Sequence, residues 1–312
     1  MRTPRAKRLA AAAAAVVCAA GLTALAWRPA LRVWRQLTRQ PDENGMYRVE
    51  DGLFQYLGEL DTASVDRFAQ KLNKLQADLF TPENRVFWAV VPDKSWYAAD
   101  SGYPVLDHAA LMERLSPQLP AMTAVPLEDA LDLSSYYRTD RHWRQEKLRP
   151  VTDALGGAMG FSVGWESFAA NGFEGFLGDY SRRLSAEPES LYWLTSPATD
   201  AATVENMQQP DQTAVYDTAR LESDVPYDLF LSGATPFEVI HNPGAPDREL
   251  VIFRDSYASS LAPLLCGEYR TITLIDLRYM FSRLLPEHIT FTDQDVLFLY
   301  SDWVVNTSAM LR

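Results

Sequence analysis

Three continuous apolar runs in the last third of the chain, residues 250–253, 271–275 and 296–300, constrain its fold more than any other feature. A strand apolar on both of its faces must be buried on both. Helical patterns lie between these runs, around 259–265 and 277–285. Buried strands alternating with helices give a parallel sheet covered on both sides. A fourth run, 86–91, closed by Pro92-Asp93-Lys94, extends the pattern upstream. Ahead of it Asp61 caps a predicted helix in which Val65, Phe68, Leu72, Leu75 and Leu79 recur at three- and four-residue spacing. Further helices are expected over 107–115 and from 144–146 onward, the latter with Leu148, Val151 and Leu155 inward and Gly156-Gly157 as its stop. Residues 123–127 suggest a short strand. The expected class is α/β, a three-layer α/β/α domain spanning 61–312. Residues 160–245, rich in aromatics, Gly, Asp and Gln, break the periodicity and read as an irregular or antiparallel insertion. Residues 40–60, with Pro41, Asp42, Asn44, Gly45 and Gly52, read as a linker.

Charge is unevenly distributed. The chain holds 29 Lys and Arg against 41 Asp and Glu. Residues 1–39 contain eight of the cations and no acid, so 40–312 carry 21 − 41 = −20. A body that acidic repels phosphate backbones, which argues against nucleic-acid binding. Arg2, Arg5, Lys7 and Arg8 precede an uncharged stretch, 9–27, long enough for a helix of roughly 28 Å, about one bilayer core. With positive charge kept inside, the body is expected outside the cytoplasm. Residues 1–39 thus form a basic leader, either a single-pass membrane anchor or, through Ala24-Leu25-Ala26, a cleaved signal peptide. Of the two cysteines Cys18 lies in this leader, leaving Cys266 alone in the body, without a disulfide partner or a cysteine metal cage.

Two segments could carry chemistry. In Tyr136-Tyr137-Arg138-Thr139-Asp140-Arg141-His142-Trp143 an Asp stands two residues before a His, close enough to fix the imidazole tautomer and stabilise the imidazolium. In the segment from Leu250 to Ser260 an apolar strand ends at Arg254-Asp255-Ser256 and a helix follows. That order exposes a hydroxyl at the carboxyl edge of a sheet, where open α/β folds place their sites. Backbone N–H groups at the helix start could stabilise an oxyanion. A metal built on Asp140 and His142 lacks a recognisable third ligand, and no cofactor is implied.

These segments, taken with Ile275-Asp276-Leu277-Arg278-Tyr279, resemble the DHHW protein family, which is similar to the SGNH-hydrolase-like proteins of alginate acetylation. Val91-Pro92-Asp93-Lys94 with Tyr97, and Gly172-Phe173-Glu174-Gly175, fit the same pattern over residues 85–300. Arg141 stands where the family name places the first His. The resemblance implies an SGNH-like fold with Ser256 as nucleophile, His142 as general base and Asp140 as its partner. It further implies an extracytoplasmic serine esterase or O-acetyltransferase acting on cell-surface polysaccharide or another envelope glycan. Arg278 could supply positive charge to such a site, or simply pair with Asp276. Tyr137 and Trp143 are candidates for contact with a sugar, although aromatics beside such a motif more commonly build core. Arg254 replaces the Gly that precedes Asp-Ser in many SGNH enzymes. With Arg141 it opens an alternative: a catalytically inactive glycan-binding or scaffold protein whose site these side chains fill. Of the other histidines, His108 reads as a surface or capping residue after Asp107, His241 as part of a turn with Asn242-Pro243-Gly244, and His288 as an exposed loop residue.

Overall fold

The computed structural model describes residues 34–312, so the stretch read as a membrane span, 9–27, lies outside the described residues. Among the described residues no helix is long and apolar enough to cross a membrane. In chain order the strands are β1 (Met46–Val49), β2 (Gly52–Gln55), β3 (Arg85–Val91), β4 (Thr123–Ala124), β5 (Ala169–Phe176), β6 (Glu189–Thr195), β7 (Thr203–Asn206), β8 (Phe237–His241), β9 (Glu249–Arg254), β10 (Thr271–Ile275) and β11 (Asp295–Ser301). The α-helices are α1 (Thr62–Leu79), α2 (His108–Leu115), α3 (Arg149–Met159), α4 (Pro197–Ala201), α5 (Tyr257–Leu261) and α6 (Asp302–Asn306).

A seven-stranded sheet in the order β4-β3-β11-β9-β10-β8-β7 forms the middle layer. Strands β4, β3, β11, β9 and β10 run parallel. The alternation of side chains along them sorts the core into two halves. On one face Ala89, Ile252 and Leu299 pack against Val151 and Leu155 of α3 and Leu261 of α5. On the other, Trp88, Val251 and Phe298 pack against Phe68 and Leu72 of α1, Leu111 of α2 and Val304 of α6. The three-layer expectation therefore holds, with a mixed rather than wholly parallel sheet. Strands β8 and β7 add antiparallel to its edge. Both come from the segment read as an insertion; β8 lies between β10 and β7, and its alternating burial marks a strand covered fully on one face only. The remainder of that segment supplies the separate β5–β6 hairpin.

Four local readings need correction. Residues 40–60 contain a packed hairpin rather than a simple linker. Glu50 takes the left-handed conformation (φ 52°) that reverses the chain between β1 and β2. Met46, Tyr47, Leu53 and Phe54 are thereby buried. Helix α3 runs through Gly156-Gly157 and stops at Gly160, in the left-handed region at φ 77°. Gly156 is small for packing, since a Cβ there would sit 2.5 Å from the Phe161 carbonyl oxygen. His108 is a buried residue: its Nδ1 lies 2.8 Å from Asp302 Oδ1, and Trp96 packs on its ring. His241 ends β8 rather than lying in a turn, while His288 is exposed as expected.

Candidate active site

The carboxyl ends of β9 and β11 lie side by side, and the turn after β9 is tied to its neighbour by a carboxylate. Asp255 Oδ2 accepts from the Ser301 N–H at 2.8 Å and from Ser301 Oγ at 2.6 Å, while Asp255 Oδ1 accepts from the Tyr257 N–H at 3.1 Å. Ser256 follows at the N-cap of α5. Its side chain makes no capping bond, so the hydroxyl is not consumed by the helix as an N-cap serine's usually is.

The Asp-x-His segment forms a tight loop across from this turn. Tyr136 and Trp143 bridge antiparallel, and the Tyr137 N–H donates to the His142 carbonyl at 3.1 Å. Lys94, buried just after β3, pins the loop from beneath. Its Nζ donates to the carbonyls of Tyr137 (2.8 Å), Arg138 (3.1 Å) and Asp140 (2.8 Å). Burial draws this amine down to about 8, against the pull of Asp93, Asp140 and Glu189.

Within the loop Asp140 Oδ1 accepts from the His142 backbone N–H (2.9 Å) and lies 2.6 Å from Nδ1. Its Oδ2 accepts from the Asp179 N–H at 2.7 Å. That last bond depends on Gly178, because a Cβ there would stand 2.3 Å from Asp140 Cβ. Burial opposes ionisation of Asp140, but His142 and the donated N–H bonds outweigh it and hold the carboxyl well below the usual carboxylate range. An ionised Asp140 fixes the ring proton on Nδ1, leaving Nε2 to accept. Nε2 stands 2.7 Å from Ser256 Oγ. The Tyr227 ring stacks on the imidazole at 4.0 Å and 9°, and its hydroxyl donates to Ser260 Oγ.

The three residues singled out from sequence thus meet, 114 positions apart, at the rim of the sheet beside a cavity of about 230 Å³. Arg278 lines the same cavity and is held by Asp276, with Nε 2.9 Å from Oδ1. Trp143 and Tyr137 do not line it. Both rings are buried, and Trp143 Nε1 donates inward to the Tyr257 carbonyl and Ser260 Oγ, so neither offers a surface to a sugar. The two arginines that could have filled the site are engaged elsewhere. Arg254 lies wholly inside, ion-paired with Glu238 and donating to Ser259 Oγ at 2.7 Å. Arg141 donates to Asp179 at 3.0 Å and lies against Tyr180 and Trp303 on the cavity wall. Among the described residues no group of three His, Cys, Asp or Glu side chains is gathered to hold a metal. Gly178, Tyr227 and Asp228 escaped sequence reading because they reach the site from 160–245, where no periodicity points to it. Lys94 carried a signal, the Pro-Asp-Lys closing β3, but nothing to reveal its partners.

This is the architecture of SGNH-like α/β/α proteins, with a Ser–His–Asp arrangement at the carboxyl edge of the sheet. No family model and no curated protein matches the chain. Solved structures do. A DHHW family protein from Eubacterium siraeum is similar with a TM-score of 0.69 at 21% identity, over 85% of this chain and 93% of that one. PatB1 of Bacillus cereus gives 0.65 at 17%, over 83% and 96%. The O-acetyltransferase domain of Pseudomonas putida AlgJ gives 0.50 at 13%, over 84% and 92%. At these identities the likeness establishes the shared fold, the one the motifs implied.

Proposed function

We propose that the chain is an O-acyl transferase or esterase of SGNH type that acts on an envelope glycan outside the cytoplasm. One observation carries the chemistry: Ser256 Oγ lies 2.7 Å from His142 Nε2, with Asp140 2.6 Å behind Nδ1. His142 takes the hydroxyl proton as Oγ attacks an acyl carbonyl, and Asp140 stabilises the imidazolium. The tetrahedral intermediate collapses as the leaving oxygen takes the proton from Nε2, which leaves the acyl group on Ser256. A water or sugar hydroxyl then gives its proton to Nε2, attacks the acyl carbon and frees Ser256 Oγ to be reprotonated. Arg278 lines the cavity with its guanidinium ion-paired to Asp276, so it supplies a wall and N–H groups rather than net positive charge. The acetyltransferase named among the similar folds supports acetyl as the acyl group. The basic leader followed by an uncharged stretch supports a membrane-tethered or secreted body.

A fluorophosphonate probe tests the nucleophile. The wild-type chain should be labelled and Ser256→Ala should not; equal labelling of both would refute the mechanism.

A further inference from the structure

The wall of the catalytic cavity carries a carboxylate that the fold does not use. Asp228 sits one residue after Tyr227, the ring stacked on His142, in the short helical turn Pro226–Leu229, and it lines the cavity with Ser256 and His142. Among the described residues none donates a hydrogen bond to its side chain or forms an ion pair with it. Three positive or protonatable groups lie near, but each is committed elsewhere. Arg220 binds Asp217 (3.1 Å) and Gln209 (2.5 Å), Arg182 binds the Asp224 carbonyl (2.5 Å), and His142 faces Asp140 and Ser256. Burial accordingly pushes the Asp228 carboxyl up despite these neighbours.

The backbone behind this carboxylate is strained to seat it. Leu231, Ser232 and Gly233 are three consecutive residues at positive φ (57°, 52° and 92°), and the first two are not glycine. Non-glycine residues are disfavoured in this region. The strained stretch is clamped by the Leu231 N–H on the Val215 carbonyl (3.1 Å) and by Ser232 Oγ on Asp217 (2.8 Å). At Gly233 a Cβ would lie 2.7 Å from Asp228 Cγ and Oδ1, so the bare backbone forms the seat of the carboxylate. A half-buried carboxylate seated on Gly233, open to the cavity and without a donor from the fold, is free to accept from a molecule bound beside Ser256.

We propose that Asp228 recognises the acyl acceptor, accepting hydrogen bonds from hydroxyl groups of a neutral sugar bound next to Ser256. The proposal rests on the acyl-transfer reading above and names the acceptor class for it. A carboxylate repels the negative charge that develops on an oxyanion but accepts readily from hydroxyl groups, which suits it to a sugar acceptor. A uronate polymer would meet both this carboxylate and a body of charge 21 − 41 = −20, which favours neutral glycans over acidic ones.

The test compares the wild-type chain with Asp228→Asn, using 4-nitrophenyl acetate as acyl donor and chitotetraose as acceptor. Transfer and hydrolysis are measured together, and chitotetraose binding to Ser256→Ala is compared by calorimetry with and without Asp228→Asn. The expected result is a ratio of transfer to hydrolysis lower by about tenfold or more and weaker chitotetraose binding, the effect of losing a charge-assisted hydrogen bond. The melting temperature should stay level or rise, because the substitution removes a desolvated charge the fold does not pair. An unchanged ratio and unchanged binding, with Ser256-dependent turnover intact, would overturn the inference and leave the serine mechanism standing. So would a wild-type chain that hydrolyses the ester but neither acylates nor binds chitotetraose. A lowered melting temperature with both activities falling in parallel would make Asp228 a structural residue. Absence of any Ser256-dependent turnover would remove the acyl-transfer reading and the acceptor role with it.

Discussion

Replacing Asp140 by Asn removes a charge from the site while keeping its shape. The carboxylate faces three donors: the His142 ring N–H at 2.6 Å and backbone N–H at 2.9 Å on Oδ1, and the Asp179 N–H at 2.7 Å on Oδ2. An amide has one acceptor oxygen to offer. Turned toward His142, it leaves its NH2 group against the Asp179 N–H. Turned the other way, it presents NH2 to the ring, which selects the tautomer with Nε2 protonated and so unable to take the Ser256 proton. In both orientations the imidazolium loses its counter-charge. Two unit charges about 4 Å apart interact by about 4 kcal/mol at an effective dielectric of about 20. A loss of that size in the transition state is a factor of about 10³ in rate, and the wrong tautomer carries it toward about 10⁴. Ester hydrolysis and the second-order rate of fluorophosphonate labelling both measure the fall, at a pH where the wild-type rate is flat. A variant that keeps more than a tenth of the wild-type rate in both assays would show that Asp140 does not orient and charge-balance His142, and the triad would fail with it.

Gly178→Ala should cost at least about 100-fold in ester hydrolysis and lower the melting temperature. Its Cβ would stand 2.3 Å from Asp140 Cβ and force the Asp179 N–H off the carboxylate; wild-type turnover would refute this packing. The Lys94 side chain should add about 1 kcal/mol to stability between pH 8 and pH 9, read by urea unfolding as the change in the difference between the wild-type chain and Lys94→Met. Lys94 is drawn from 10.5 down to about 8 when folded, so the unfolded chain binds the extra proton throughout that window. The curve of the wild-type chain itself rises less, because the Cys266 thiol, pushed from 9.0 up to about 12 by burial, and the buried tyrosines, pushed up likewise, begin to ionise in the unfolded chain within the same window; a wild-type minus Lys94→Met difference that stays flat or falls from pH 8 to 9 would count against the buried amine. Cys266 should resist iodoacetamide in the native protein and react after unfolding, as followed by mass spectrometry, because its sulfur is buried and its thiol held protonated.

Local pattern revealed the framework and the Ser, His and Asp that meet at its edge, but not their surroundings. Strands β3, β9, β10 and β11 are apolar on both faces, so any short window discloses them, and the turn carrying Ser256 follows directly from one of them. Asp140 and His142 are two residues apart, so their pairing also lies within a short window. What stayed hidden depends on residues brought together from afar. Arg254 looked obstructive because its neutralising partner, Glu238, lies 16 positions back in β8, a strand whose half-buried alternation concealed its place in the sheet. His108 looked superficial because Asp302 is 194 positions away. The β1–β2 hairpin looked like a linker because its turn residues are conspicuous and its four buried side chains need the rest of the fold to cover them.

The buried charges share a purpose that connects the sheet to the site. Four of the parallel strands are each followed by a buried aspartate: Asp93 after β3, Asp255 after β9, Asp276 after β10 and Asp302 after β11. Backbone N–H groups that leave a ladder at a strand's end need other acceptors when they are buried. These carboxylates provide them, and two do so across strands: Asp302 Oδ2 accepts from the Asp93 N–H at 3.0 Å, and Asp255 Oδ2 from the Ser301 N–H at 2.8 Å. The ends of β3, β11 and β9 are therefore stitched together, with Lys94 next to Asp93 at one end and Ser256 next to Asp255 at the other. Lys94 holds the loop that carries Asp140 and His142, so the stitching fixes both halves of the Ser–His–Asp arrangement to one rigid edge. Apolar residues at these positions would avoid the desolvation of four carboxylates. They could not bind the strand-end N–H groups, and the 2.7 Å approach of Ser256 to His142 would then depend on loops free to move apart.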